Sequence, residues 1–203
     1  MATDQPLRPP LHHINMKTVR PDEMIDFYRK VVGVEVIFRN EFAAFTSNDD
    51  AHHRIVFMTL DGMHDDADKI PHTGMHHMAF DYASLDELIA TYERLRDAGI
   101  MPHMSVDHGM AIALYYPDPD GNTVELQVDN FPTQREAQEY MRHSPAFAAD
   151  PLGTFFDPEL VAAELARGVS HDEIHAKAWD GAYENEVTAT YDPRMPVAGG
   201  VPS

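Results

Sequence analysis

Apolar and polar residues alternate along Leu11-His12-His13-Ile14-Asn15-Met16, which predicts a half-buried strand. Pro21, Asp22 and Glu23 then open a helical stretch that Gly33 closes. Strand-like runs follow at residues 34–38, 42–46 and 54–60. The same order then returns. Met75-His76-His77-Met78-Ala79-Phe80 alternates again, and Ser84 with Glu87 forms a capping box. Leu88, Tyr92 and Leu95 share one helical face and Gly99 stops the helix. Strand-like runs occupy 101–106, 111–116 and 123–128, the last two separated by the turn Pro117-Asp118-Pro119-Asp120-Gly121-Asn122. His13, Asp22 and Tyr28 correspond to His77, Asp86 and Tyr92 at one constant offset, so the two stretches form an internal repeat.

The repeat predicts an α+β fold of two βαβββ modules. They are expected to join into one cup-shaped mixed sheet with the helices outside. Residues 1–10 form an N-terminal tail, 11–70 the first module and 71–130 the second. Residues 131–203 form a helical and irregular C-terminal extension, divided by Pro132, Pro145, Pro151 and Pro158. Within it Asp157-Pro158 starts a helix that Gly168 stops, and Ser170 with Glu173 is a second capping box. From Asn185 onward Pro, Gly and Thr dominate, which predicts a tail that wraps over other surface or is loosely ordered.

Composition narrows the function. Among 203 residues, 34 Asp and Glu stand against 15 Lys and Arg, a formal charge of −19. Protonating all 13 His still leaves an acidic protein, which disfavours nucleic acid and anionic membrane as partners. No apolar run approaches the roughly 20 residues of a membrane span, and the start lacks the apolar core of a signal peptide. A cytoplasmic location is the expectation. The absence of cysteine excludes disulfides, thiolate metal sites and a cysteine nucleophile. The many histidines, several in adjacent pairs amid excess acid, point instead toward a metal.

Strand alternation selects among them. Ile14, Met16, Met78 and Phe80 suit the face under the helices, which turns His13 and His77 into the cup. On the last strand Val124, Leu126 and Val128 take the helix side, so Thr123, Glu125 and Gln127 face inward. Two imidazoles and one carboxylate then converge, and two His with one carboxylate is a donor set of non-heme Fe(II) oxygenases. His12 and His76 fall on the helix side and read as packing residues. His52, His64, His72, His103 and His143 read as surface or packing residues.

The stretches LHHINMKT with FYRKVVGVEV, SNDDAHHRIVF, GMHHMAFDY and DHGMAIALYYPDPDGNTVELQ resemble the vicinal oxygen chelate superfamily. Within it they are most similar to the type I extradiol catechol and dihydroxybiphenyl dioxygenases. The resemblance spans residues 11–128. It implies that His13, His77 and Glu125 ligate Fe(II), with Mn(II) chemically reasonable in its place. It further implies that Tyr115 contacts substrate and oxygen, that His53 is the acid–base histidine, and that His108 lies near a substrate hydroxyl. Ordinary strand or surface roles are the competing readings of these last three. Met110 and Ala111 depart from the Ser or Thr that often follows DHG after one residue, which bears on pocket shape. The implied partners are a small catechol substrate and O2, and modules of this kind commonly pair as homo-oligomers.

Two other activities share the scaffold. A glyoxalase- or epimerase-type metal enzyme takes a fourth protein ligand from the last strand of the first module. Here that stretch reads Arg54-Ile55-Val56-Phe57-Met58, with no acid or amide. A metal-free protein of the bleomycin-resistance kind needs no metal triad at all. Phe147, Phe155 and Phe156 are candidates to close the cup over an aromatic ring, with core packing the equal alternative.

Overall fold

A computed structural model describes residues 8–66, 69 and 72–191 of the chain. The chain divides into two compact units, Met1–Asp66 and Ala67–Ser203. In the first, β1 (Ile14–Lys17) leads into α1 (Pro21–Val32), followed by β2 (Glu35–Arg39), β3 (Ala43–Ser47) and β4 (Ile55–Met58). The sheet order is β1-β4-β3-β2, with β1 parallel to β4 and the other pairs antiparallel. Pro21 sits in the first turn of α1, and Gly33 ends it in the left-handed region at φ 71°. The helix buries Met24, Ile25, Phe27, Tyr28 and Val31 along one stripe. Tyr28 packs on Phe57 of β4 with ring centroids 5.2 Å apart, and its hydroxyl reaches the sulfur of Met16 in β1 at 3.6 Å.

The second unit repeats this plan. It comprises β5 (His77–Asp81), α2 (Leu85–Asp97), β6 (Met104–Asp107), β7 (Ala111–Pro117) and β8 (Thr123–Asp129). The Ser84 side chain accepts from the Glu87 N–H, as the capping box predicts, while Leu85, Leu88, Ile89, Tyr92 and Leu95 are buried. The expected α+β class and the two βαβββ modules are therefore present. The strands, however, hydrogen-bond as two mixed sheets rather than one. In each module the first strand lies parallel beside the last, which completes a ladder within the module.

The extension belongs to the second unit. It contains α3 (Gln134–His143), α4 (Pro145–Ala149), β9 (Thr154–Phe155), α5 (Pro158–Ala166) and α6 (His171–Trp179). Both helix starts read from the sequence are there: Asp157 accepts from the Glu159 N–H, and Ser170 from the Glu173 N–H. β9 joins the edge of β6, giving the order β5-β8-β7-β6-β9. α5 is tied to α2 because Glu159 accepts from the Tyr92 hydroxyl at 2.8 Å and from Arg96 at 2.9 Å. The tail beyond Tyr191 lies outside the described residues. Among the described residues no helix is long and apolar enough to cross a membrane.

Phe57 is fully buried between α1 and the first sheet. Phe57→Ala is expected to lower the unfolding free energy by about 3–5 kcal/mol in urea titrations. Amide exchange should accelerate more over residues 14–58 than over 77–129.

Candidate active site

In the second unit the register places the candidate residues on one face. Tyr115 of β7 lies opposite Glu125 of β8, which lies opposite Ala79 of β5. His77 lies opposite Thr123, two residues along from these and so on the same side. Flanking Val124 and Leu126, fully buried, face the other way. His77 Nε2 stands 3.1 Å from Glu125 Oε2, and the Tyr115 hydroxyl donates to Glu125 Oε1 at 2.7 Å. The same hydroxyl stands 2.7 Å from His108 Nε2. His108 Nδ1 faces the Leu152 carbonyl at 2.6 Å and must itself be a donor there. His77, Glu125, Tyr115 and His108 thus form one hydrogen-bonded chain.

Its electrostatics suit a ligand. Burial alone would push the Glu125 carboxyl up, but hydrogen bonds from His77 and Tyr115 outweigh it and hold the pKa below the usual value. The bond to Glu125 raises the pKa of His77. Burial, then the Glu125 charge, pushes the Tyr115 phenol up, so it stays protonated as a donor. Two cis ligand atoms at bonds of about 2.0–2.2 Å from one divalent cation stand about 3 Å apart. The His77–Glu125 spacing and its nitrogen–oxygen donor set therefore fit a divalent metal.

In the first unit, ligand atoms of His12, His13 and His53 all lie within 4.8 Å of one another. The His13 and His53 rings are 4.5 Å apart, and His52 Nδ1 lies 2.6 Å from His53 Nδ1. Burial and the neighbouring His13, His52 and His12 charges lower the pKa of His53.

This corrects the placement of His12. The strand begins only at Ile14, so His12 and His13 precede it and alternation does not govern them. His12 is exposed and joins the histidine cluster instead of packing under the helix. His76 likewise precedes β5 and is exposed, with Nδ1 2.8 Å from His77 Nδ1. Phe156 is fully buried and packs in the core. Phe155 is half-buried and packs on Met104, Val106, Ala113 and Tyr115, while Phe147 contacts the Tyr140 ring.

The pattern of the Glyoxalase/Bleomycin resistance protein/Dioxygenase superfamily matches residues 10–126, and the chain belongs to that superfamily. It is 37% identical over 175 residues to a protein named biphenyl-2,3-diol 1,2-dioxygenase 2 from Rhodococcus globerulus, covering 84% of this chain and 89% of that one. It is 38% identical over 172 residues to biphenyl-2,3-diol 1,2-dioxygenase 3 of the same organism, covering 84% and 90%. Alignments of this length run well beyond the superfamily pattern into the extension. The fold is similar to a solved glyoxylase/bleomycin resistance protein/dioxygenase domain from Frankia sp. EAN1pec, with TM-score 0.52 and 19% identity, covering 61% of this chain and 100% of that one.

His103, read from sequence as surface or packing, is half-buried beside the Tyr115 ring. Burial, with the His76 charge, pushes its pKa down to about 4. The folded state thus binds this proton more weakly than the unfolded chain, whose value is near 6.5. Its contribution to stability is complete above 6.5 and is lost as pH falls toward 4. Urea unfolding at pH 7 and pH 5 should show this loss, and His103→Gln should flatten the slope; equal slopes would remove His103 as its source.

Proposed function

We propose that the protein is an extradiol ring-cleaving dioxygenase, which opens a catechol-type diol with O2 at an Fe(II) held by His13, His77 and Glu125. The observation that carries this reading is the buried Glu125 carboxylate, bonded through one oxygen to Tyr115 and facing His77 with the other. It is supported by the relatives named for biphenyl-2,3-diol dioxygenation. It is also supported by the repeat, which gives His13 and His77 equivalent positions. Mn(II) suits the same donors. The partners are then the diol and O2, and the reaction is that of an oxidoreductase.

Iron(II) so held supplies a Lewis acid for the diol oxygens and a route for electrons from the ring to O2. The protein's part is to present donors and move protons. Glu125, kept ionised by its two hydrogen bonds, is ready as a ligand without proton loss. His53, its pKa lowered by burial and then by neighbouring imidazoles, is neutral near pH 7 and accepts a diol proton, returning it later in the reaction. Tyr115 contacts substrate and oxygen, and His108, 2.7 Å from its hydroxyl, lies near a substrate hydroxyl.

A four-ligand glyoxalase- or epimerase-type centre is less well supported. Residues Ile55, Val56, Phe57 and Met58 of β4 offer no acid or amide where such enzymes take their extra ligand. A metal-free binding protein would have no use for a buried carboxylate paired with an imidazole.

Glu125→Gln keeps the side-chain size and removes the charge. Metal affinity should fall by more than the roughly 10–100-fold that follows loss of an outer hydrogen-bond partner, and oxygen uptake with catechols should cease. Wild-type iron content in that variant, measured after anaerobic Fe(II) reconstitution, would overturn the ligand assignment. His53→Ala should keep iron and substrate binding while turnover falls about 10²–10⁴-fold. Unchanged turnover would deny it the proton-transfer role.

A further inference from the structure

The loop Asp107-His108-Gly109 carries a candidate active-site histidine, and the C-terminal extension holds this loop from several sides. Asp107 is fully buried, and three donors reach its carboxylate. The Gly109 N–H donates to Oδ1 at 2.8 Å, Asn130 Nδ2 to Oδ1 at 3.2 Å, and His175 Nδ1 to Oδ2 at 2.6 Å. Asn130 Nδ2 also donates to the Gly109 carbonyl at 3.2 Å. Since His175 Nδ1 donates to Asp107, its 3.0 Å approach to Asn130 Nδ2 sets two donors side by side around one carboxylate. His171, one turn before His175 on α6, fixes the Asn130 amide by donating from Nε2 to Oδ1 at 2.8 Å.

The backbone grips the same loop. β9 pairs Thr154 with Asp107 and Phe155 with Val106, and the Thr154 hydroxyl donates to the Trp179 carbonyl at 3.0 Å. Gly153 adopts φ +89°, and a Cβ there would collide with the Asp107 carbonyl. Gly109 adopts φ +82° beneath Tyr140 and Trp179, where a Cβ would collide with the Tyr140 hydroxyl. The Leu152 carbonyl then takes the Nδ1–H of His108 and so fixes which ring nitrogen turns to Tyr115.

We propose that the extension is a positioning device for His108, in which an Asp107–His175 latch set by Asn130 and His171 holds the loop against the Leu152 carbonyl. His175 is a positioning residue. It touches neither the candidate metal ligands nor Tyr115, and acts by keeping the His108 ring aimed at the tyrosine. For its effect on turnover the proposal rests on the ring-cleavage reading; for its effect on His108 it does not.

The test compares His175→Ala with His175→Asn, whose amide nitrogen falls near the Nδ1 position and keeps the donor. Nitrogen-15 NMR of the full-length, metal-free protein reads the His108 Nδ1 proton and the exchange rate of the Gly109 amide. In His175→Ala both are expected to exchange at least about tenfold faster than in wild type, and His175→Asn to restore protection. In the iron-loaded enzyme with a catechol, His175→Ala should lower kcat about 10–100-fold. Iron content should not change, and KM should move by no more than about threefold. Should the alanine variant not fold, His175→Gln, whose amide nitrogen lies one bond too far out, takes the same measurements. Wild-type protection of the His108 Nδ1 proton in a folded variant lacking the donor would overturn the proposal. Absence of ring cleavage with every catechol, with the NMR changes as expected, would instead overturn the function and leave the latch standing.

Discussion

A carboxylate removed from water without partners costs several kcal/mol, and much of the second unit is arranged to prevent that cost at Glu125. The parallel pairing of β5 with β8 brings His77 to one oxygen, and the antiparallel pairing of β7 with β8 brings Tyr115 to the other. Those two ladders are fixed by residues on the opposite face, where Val124, Leu126 and Met78 are buried. The position of the acid is therefore a product of core packing. A slip of one residue in either pairing would turn Glu125 into the apolar layer.

The two units differ in the side chains they gather. The second offers a carboxylate, an imidazole and a phenol in one hydrogen-bonded chain. The first offers a crowd of imidazoles, where burial and then mutual repulsion on protonation lower the pKa of His12 and His53. The two copies of one supersecondary unit thus differ in donor set: the second pairs a carboxylate with an imidazole, and the first gathers imidazoles.

Local signals were legible in the sequence and distant ones were not. Helix boundaries were readable because their causes lie within three or four residues, as at Ser84 with Glu87 and at Gly33. His77 and Glu125 were readable from strand period, whereas Tyr115 and His108 were singled out only through the family resemblance. Alternation was carried one or two residues beyond the true strand starts at His12, His13 and His76. β9 escaped notice because two residues have no period, and it is a strand only by virtue of the β6 edge beside it. The pairing of Asp107 with His175 escaped for a similar reason: the residues are 68 apart, and neither has a local pattern that names the other.

The close approach of Gly153 to the Asp107–His108 backbone ties two remote stretches of chain to a common fate. Neither can be exchanged alone between relatives: a chimera that imports a foreign segment over residues 131–191 must import its own version of the 107–109 loop as well. For the design of such hybrids the natural seam lies ahead of β6, not at the apparent end of the repeat.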